Sequence, residues 1–122
     1  MRIIPTWLHA AMDYTMGFFL LVMPNVLALY PSEQVQWVPK HFGVVMLFLA
    51  FTSRTELGLF KLIAMRPHLM IDYVLGLALA VSPWVLGFYR HTWAPHLICG
   101  LLIFAVALLS RKEANTVYAD PT

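Results

Sequence analysis

The chain has 122 residues, 61% of them hydrophobic and only 11% charged, against roughly 45–50% and about 25% in an ordinary soluble domain. A compact domain this small leaves about a third of its chain surface wet, so a mean hydropathy of +0.74 predicts that lipid is the solvent. The formal charge of +2 is spread thinly, and no basic block suggests nucleic acid.

Four apolar spans are predicted in chain order. The first runs from Trp7 to Ala28 and carries His9 and Asp13 near its head, in PTWLHAAMDYTMG. A secretory signal would also start on a basic residue, but His9 and Asp13 would interrupt its apolar region and no small-residue cleavage site follows Pro24. The second span runs from Val38 to Ser53. Beyond it, Glu56 to Arg66 (ELGLFKLIAMR) mixes Leu57, Leu59, Phe60, Leu62, Ile63 and Met65 with Glu56, Lys61 and Arg66. It reads as a short interfacial helix with its apolar side in lipid, or alternatively as a tight packed loop. The third span, His68 to Phe88, opens on PHLMIDYVLG, residues 67–76, and repeats the histidine and aspartate four positions apart. The fourth, Pro95 to Ser110, is short like the second for a hydrocarbon core about 30 Å thick. The tail ANTVYADPT reads as frayed and dispensable. The expected organisation is a first two-helix unit over 1–53, an amphipathic connector over 54–66, a second unit over 67–113 and a tail over 114–122.

The halves repeat. His9, Asp13, Tyr14, Gly17 and Pro24 match His68, Asp72, Tyr73, Gly76 and Pro83 at a separation of 59, and Gly43, Ser53, Arg54 and Glu56 match Gly100, Ser110, Arg111 and Glu113 at 57. Two crossings return the chain to its starting side, so the units share one orientation and form a parallel repeat. The expected fold is all-α: an integral membrane four-helix bundle of two tandem hairpins, with the first and third helices facing each other. Arg2, Arg54, Lys61, Arg66, Arg111 and Lys112 fall on one side, Lys40 and Arg90 on the other. This bias predicts a multi-pass protein of a bacterial inner membrane with both termini cytoplasmic, and with Tyr30, Trp37, Tyr89 and Trp93 near the opposite interface. Cys99 is the only cysteine, so no internal disulfide is possible and the thiol reads as packing.

SPWVLGF, residues 82–88, followed by a short polar turn and a second apolar span with a glycine, resembles the SPW repeat family of small bacterial and archaeal membrane proteins. The likeness runs through Ser82, Pro83, Trp84 and Gly87, and SRTELGLFKLIAMRPHLMID looks like the connector of two-unit members; the first unit departs from it, reading VMPNVLAL. The resemblance implies a paired-helix membrane fold and brings no biochemical activity with it.

At 3.6 residues per turn, His9, Asp13 and Gly17 share one helix face, as do His68, Asp72 and Gly76. Glycine lets a neighbouring helix approach, so that face is expected to be the most closely packed. A carboxylate at the centre of a membrane helix costs roughly 2.5–3.5 kcal/mol, so Asp13 and Asp72 need partners: the histidine of the same helix, Arg54 or Arg111, or a bound cation. Two imidazoles and two carboxylates suffice for tetrahedral zinc, and the four residues are similar to the transmembrane site of cation diffusion facilitator transporters, whose wider architecture is absent. The same residues also suit a hydrogen-bonded brace or a proton or ion path. Arg54, Glu56, Arg111 and Glu113 read as interface anchors or as a charged lid over that layer. His41 and His96 read as interfacial, and Trp84 as aromatic belt more readily than as the seat of a flat cofactor. The expected function is a membrane-embedded binding or scaffold module with a divalent-metal site at His9, Asp13, His68 and Asp72. An ion or proton translocator is the alternative, partners being the bilayer and a second copy or another membrane protein. No nucleophile with its base or nucleotide loop points to an enzyme.

Overall fold

The computed structural model describes residues 3–27 and 33–111, in four helices: α1 (Thr6–Val26), α2 (Glu33–Thr52), α3 (Met65–Val85) and α4 (Ala94–Leu109). α1 and α3 start behind Pro5 and Ala64, both extended (φ −68°, ψ 158° and φ −63°, ψ 157°), and α4 carries Pro95 in its first turn, where a missing N–H leaves no bond unmade. After α3 the chain turns at Gly87, whose φ of +83° is a conformation that side chains with a Cβ disfavour.

α1 packs on α2 and α3 on α4, making two hairpins. Each is closed by a pair of glycines. A Cβ on Gly43 would lie 2.6 Å from the Gly17 carbonyl oxygen, and one on Gly100 would lie 2.5 Å from that of Gly76. Backbone therefore meets backbone within each hairpin. The glycine stripe is thus closely packed, as expected, with the hairpin partner as the helix that meets it, while α1 and α3 meet through the side chains of their polar residues.

The connector is corrected. Among residues 54–62 there is no helix; the chain folds back on the end of α2. Leu59 and Phe60 donate their N–H groups to the Phe51 carbonyl (2.8 and 3.0 Å), Leu62 and Ile63 donate theirs to Thr52 (2.7 and 2.8 Å), and Arg54 N–H donates to Ile63 (2.7 Å). A helix end leaves four carbonyls without partners, and the connector supplies donors for two of them. The Lys61 ammonium closes the loop on the Thr55 and Gly58 carbonyls at 2.7 Å each. At the other chain end Ile4 N–H donates to Leu109 and Arg111 N–H to Ile4, both at 2.8 Å. Ile4 thus grips the end of α4 as Ile63 grips the end of α2, and each grip ties one repeat to the other.

Leu20, Met23, Val35, Val38, Met46, Leu79, Phe88, Cys99 and Ile103 form the main core. The outer surface is as apolar as the inner: Phe18, Phe48, Val74 and Val85 are 64%, 62%, 66% and 73% exposed. α2 over Val35–Thr52 and α3 over Met65–Val85 are long and apolar enough to cross a membrane. A helical bundle with backbone bonds satisfied internally and apolar side chains outside is a membrane protein's solution.

Candidate metal centre

His9 and Asp13 lie one turn apart near the start of α1, and His68 and Asp72 hold the same places on α3. All four side chains turn into the contact between hairpins, with relative exposures of 0%, 4%, 1% and 1%. Nε2 of His9 stands 3.0 Å from Oδ2 of Asp13 and 2.9 Å from Oδ2 of Asp72. Nε2 of His68 stands 2.7 Å from Oδ2 of Asp13 and 3.1 Å from Oδ2 of Asp72. The result is a closed ring of alternating nitrogen and oxygen in which the four ligand atoms lie within 4.8 Å of one another. The two imidazoles meet edge to face, centroids 5.2 Å apart.

Both shorter histidine–aspartate contacts cross between hairpins, His9 to Asp72 and His68 to Asp13. The outer nitrogens cross as well: Nδ1 of His9 bonds Ser110 Oγ at 2.6 Å, and Nδ1 of His68 bonds Ser53 Oγ. Each serine hydroxyl also donates to the carbonyl four residues back, Ser110 to Val106 and Ser53 to Leu49, both at 2.6 Å. A hydroxyl has one proton to give and a carbonyl none. All these contacts are satisfied together only if each imidazole carries its proton on Nδ1 and donates it to serine. Both Nε2 atoms then face the carboxylates, and the ring requires positive charge at its centre. Two Nε2 protons or one divalent cation would supply it.

Ser53 and Ser110 are the residues that sequence reasoning left out of the site, although both stand in the repeat at the 57-residue separation. A hydroxyl at the matched last position of the second and fourth spans was the available signal. Of the outer charges, Glu56 accepts a 2.6 Å hydrogen bond from Thr6 Oγ1 at the start of α1, and Arg54 Nε donates to the Lys61 carbonyl at 3.3 Å. Arg111 is exposed. Among the described residues neither guanidinium bonds Asp13 or Asp72; imidazoles hold the acids. Glu113, with Arg2, Tyr30 and Lys112, lies outside the described residues. His41 is exposed, its Nδ1–H on the Trp37 carbonyl at 2.8 Å. His96 corrects its expectation: it is fully buried against Phe88, ring centroids 5.0 Å apart. Trp84 is 45% exposed beside Trp93, as in an aromatic belt.

Zinc bonds of about 2.0–2.1 Å in a tetrahedron set donors roughly 3.3 Å apart, a few tenths beyond the ring edges of 2.7–3.1 Å. Asp72 Oδ1 is buried without a hydrogen-bond partner, so this acid has an oxygen to spare for an ion.

The family model described as the SPW repeat domain matches residues 6–110 of the chain. No curated protein and no solved structure matches it.

Proposed function

The chain belongs to the SPW repeat family, and we propose that it is a small membrane-embedded binding module whose ring of His9, Asp13, His68 and Asp72 takes up one divalent cation of the zinc class. The observation that carries this reading is the tautomer imposed by the serines. With Nδ1–H committed to Ser53 and Ser110, both Nε2 lone pairs and both Oδ2 atoms point at one centre, a set of two nitrogens and two oxygens suited to zinc. An outer-nitrogen hydrogen bond is the usual support of a metal-binding histidine. The bundle crosses a bacterial inner membrane with both termini and the connector cytoplasmic, which places the ring toward the cytoplasmic side.

One observation favours a second reading. Edges of 2.7–3.1 Å are also the lengths of charge-assisted N–H···O bonds, so two protons filling the ring would make it a brace between the hairpins. Elemental analysis of protein purified without an affinity-tag metal separates the two. One zinc per chain in the wild type, absent from Asp72→Asn, supports the metal. Metal-free protein that stays fully folded and takes up no added zinc leaves the brace.

A further inference from the structure

We propose a lipid site between α1 and α4: an uncharged long-chain lipid with a hydroxyl head lies in the seam, its hydroxyl donating to the carboxylate of Asp13. A crevice of about 830 Å³ runs along this seam from Leu8 to Leu27, within the size range of sites that enclose small molecules. Its walls include Met12, Asp13 and Phe19 of α1 and Ile98, Cys99 and Leu102 of α4. Almost all of that wall is hydrocarbon, so in a bilayer it fills with a chain rather than with water. Asp13 is the one carboxyl group among its lining residues. Both imidazole contacts of Asp13 end on Oδ2, leaving Oδ1 as an acceptor without a donor in a place where water is scarce.

The two hairpin seams differ in ways the repeat makes visible. Where α4 has Cys99 the matching position of α2 is Phe42. Phe42 packs against the core, and α2–α3 is the closer seam. The open seam has the smaller residue at that place. From Asp13 to Leu27 is 14 residues, about 21 Å of helix, room for a long tail above the head. The head is neutral because the ring already balances its two carboxylates with two protons or one divalent ion. A cationic head would add charge in a low-dielectric place, and a phosphate would meet a carboxylate. This inference does not rest on the metal, since both imidazole contacts of Asp13 end on Oδ2.

The test uses the whole protein in phosphatidylcholine vesicles with hexadecanol carrying a mid-chain diazirine, against the methyl ether and the amine of the same chain. Labelled peptides are located by mass spectrometry, and metal content is read on the same samples. The alcohol is expected to label Leu8–Leu27 and Ala94–Val106 at least about tenfold more than the ether, the worth of a hydrogen bond to a charged acceptor. Cys99→Phe, which copies the closed seam, and Ala11→Met, which puts a longer side chain on the crevice wall, are expected to remove that preference and leave the metal content as in wild type. Equal labelling by the ether overturns the proposal in favour of bulk acyl chains. Stronger labelling by the amine overturns the neutral head, and a preference that survives both variants overturns the crevice.

Discussion

Ser53 and Ser110 hold no charge, yet they decide what the ring can bind. Each fixes the proton of an imidazole on the side away from the centre. Removing a hydroxyl frees the ring to flip or change tautomer, and lost outer contacts of this kind typically weaken metal binding 10–100-fold. Ser53→Ala and Ser110→Ala are each expected to lower zinc affinity by about that factor, read by competition with a chromophoric chelator, with stoichiometry unchanged. The same proton count predicts what leaves when the metal enters. A ring that is neutral before and after binding exchanges one divalent ion for two protons, so a weakly buffered titration should release close to two per zinc. Affinity then rises with pH while both Nε2 sites are protonated, because protons compete for the donor atoms. Release of none would mean that the ring is not filled by protons beforehand. His9, Asp13, His68 and Asp72 were legible in the sequence because a spacing of four puts both side chains on one face. Their partners were not, because spacing along one helix says nothing about the atoms that the other hairpin brings. The crossing of His9 to Asp72 and to Ser110 is set by the relation between repeats.

α2 and α4 approach α1 and α3 so closely that hydrogen is the only side chain their glycines can hold. A Cβ on Gly100 would sit 2.5 Å from both the Ala80 nitrogen and the Gly76 oxygen, backbone atoms that cannot swing aside. Gly100→Ala and Gly43→Ala are therefore expected to destabilise the protein by about 1–3 kcal/mol, the range for overpacking, in detergent unfolding followed by circular dichroism. Gly87→Ala tests a different cause, since nothing lies within 4 Å of its added Cβ and only the φ of +83° resists it. Its cost is expected near 1 kcal/mol, with the hairpins still closed. The spans were read from hydrophobicity to within a few residues. The connector reads as an interfacial helix before a packed loop because Leu59, Phe60 and Leu62 carry the apolar content of such a helix. What decides its shape is the need of the Phe51 and Thr52 carbonyls for donors, a demand that comes from the end of α2 and leaves no periodic trace in residues 54–66.

The whole molecule is two hairpins that own half a site each. His9 and Asp13 come from one, His68 and Asp72 from the other, and the serines cross between them. The parallel repeat makes this possible, since only units of one orientation bring their polar layers to the same depth. It also fixes the orientation test. Single cysteines at Glu56 and Thr92, in a Cys99→Ala background, are expected to react with an impermeant maleimide from opposite faces of the membrane, Thr92→Cys from outside intact cells. Reaction of both from one face would sink the four-crossing arrangement. A shared site further links metal binding to docking, because an ion that needs all four donors binds only when the hairpins are together. Anything that binds the folded state alone stabilises it by RT ln(1 + [L]/Kd), about 2.7 kcal/mol at a free concentration of 100 Kd. Zinc at that level is expected to raise the unfolding free energy of the wild type by this amount, that of Gly87→Ala by the same amount from a lower start, and that of Asp72→Asn hardly at all. A wild type whose unfolding ignores zinc would mean that no ion bridges the hairpins, and two protons would then do the holding.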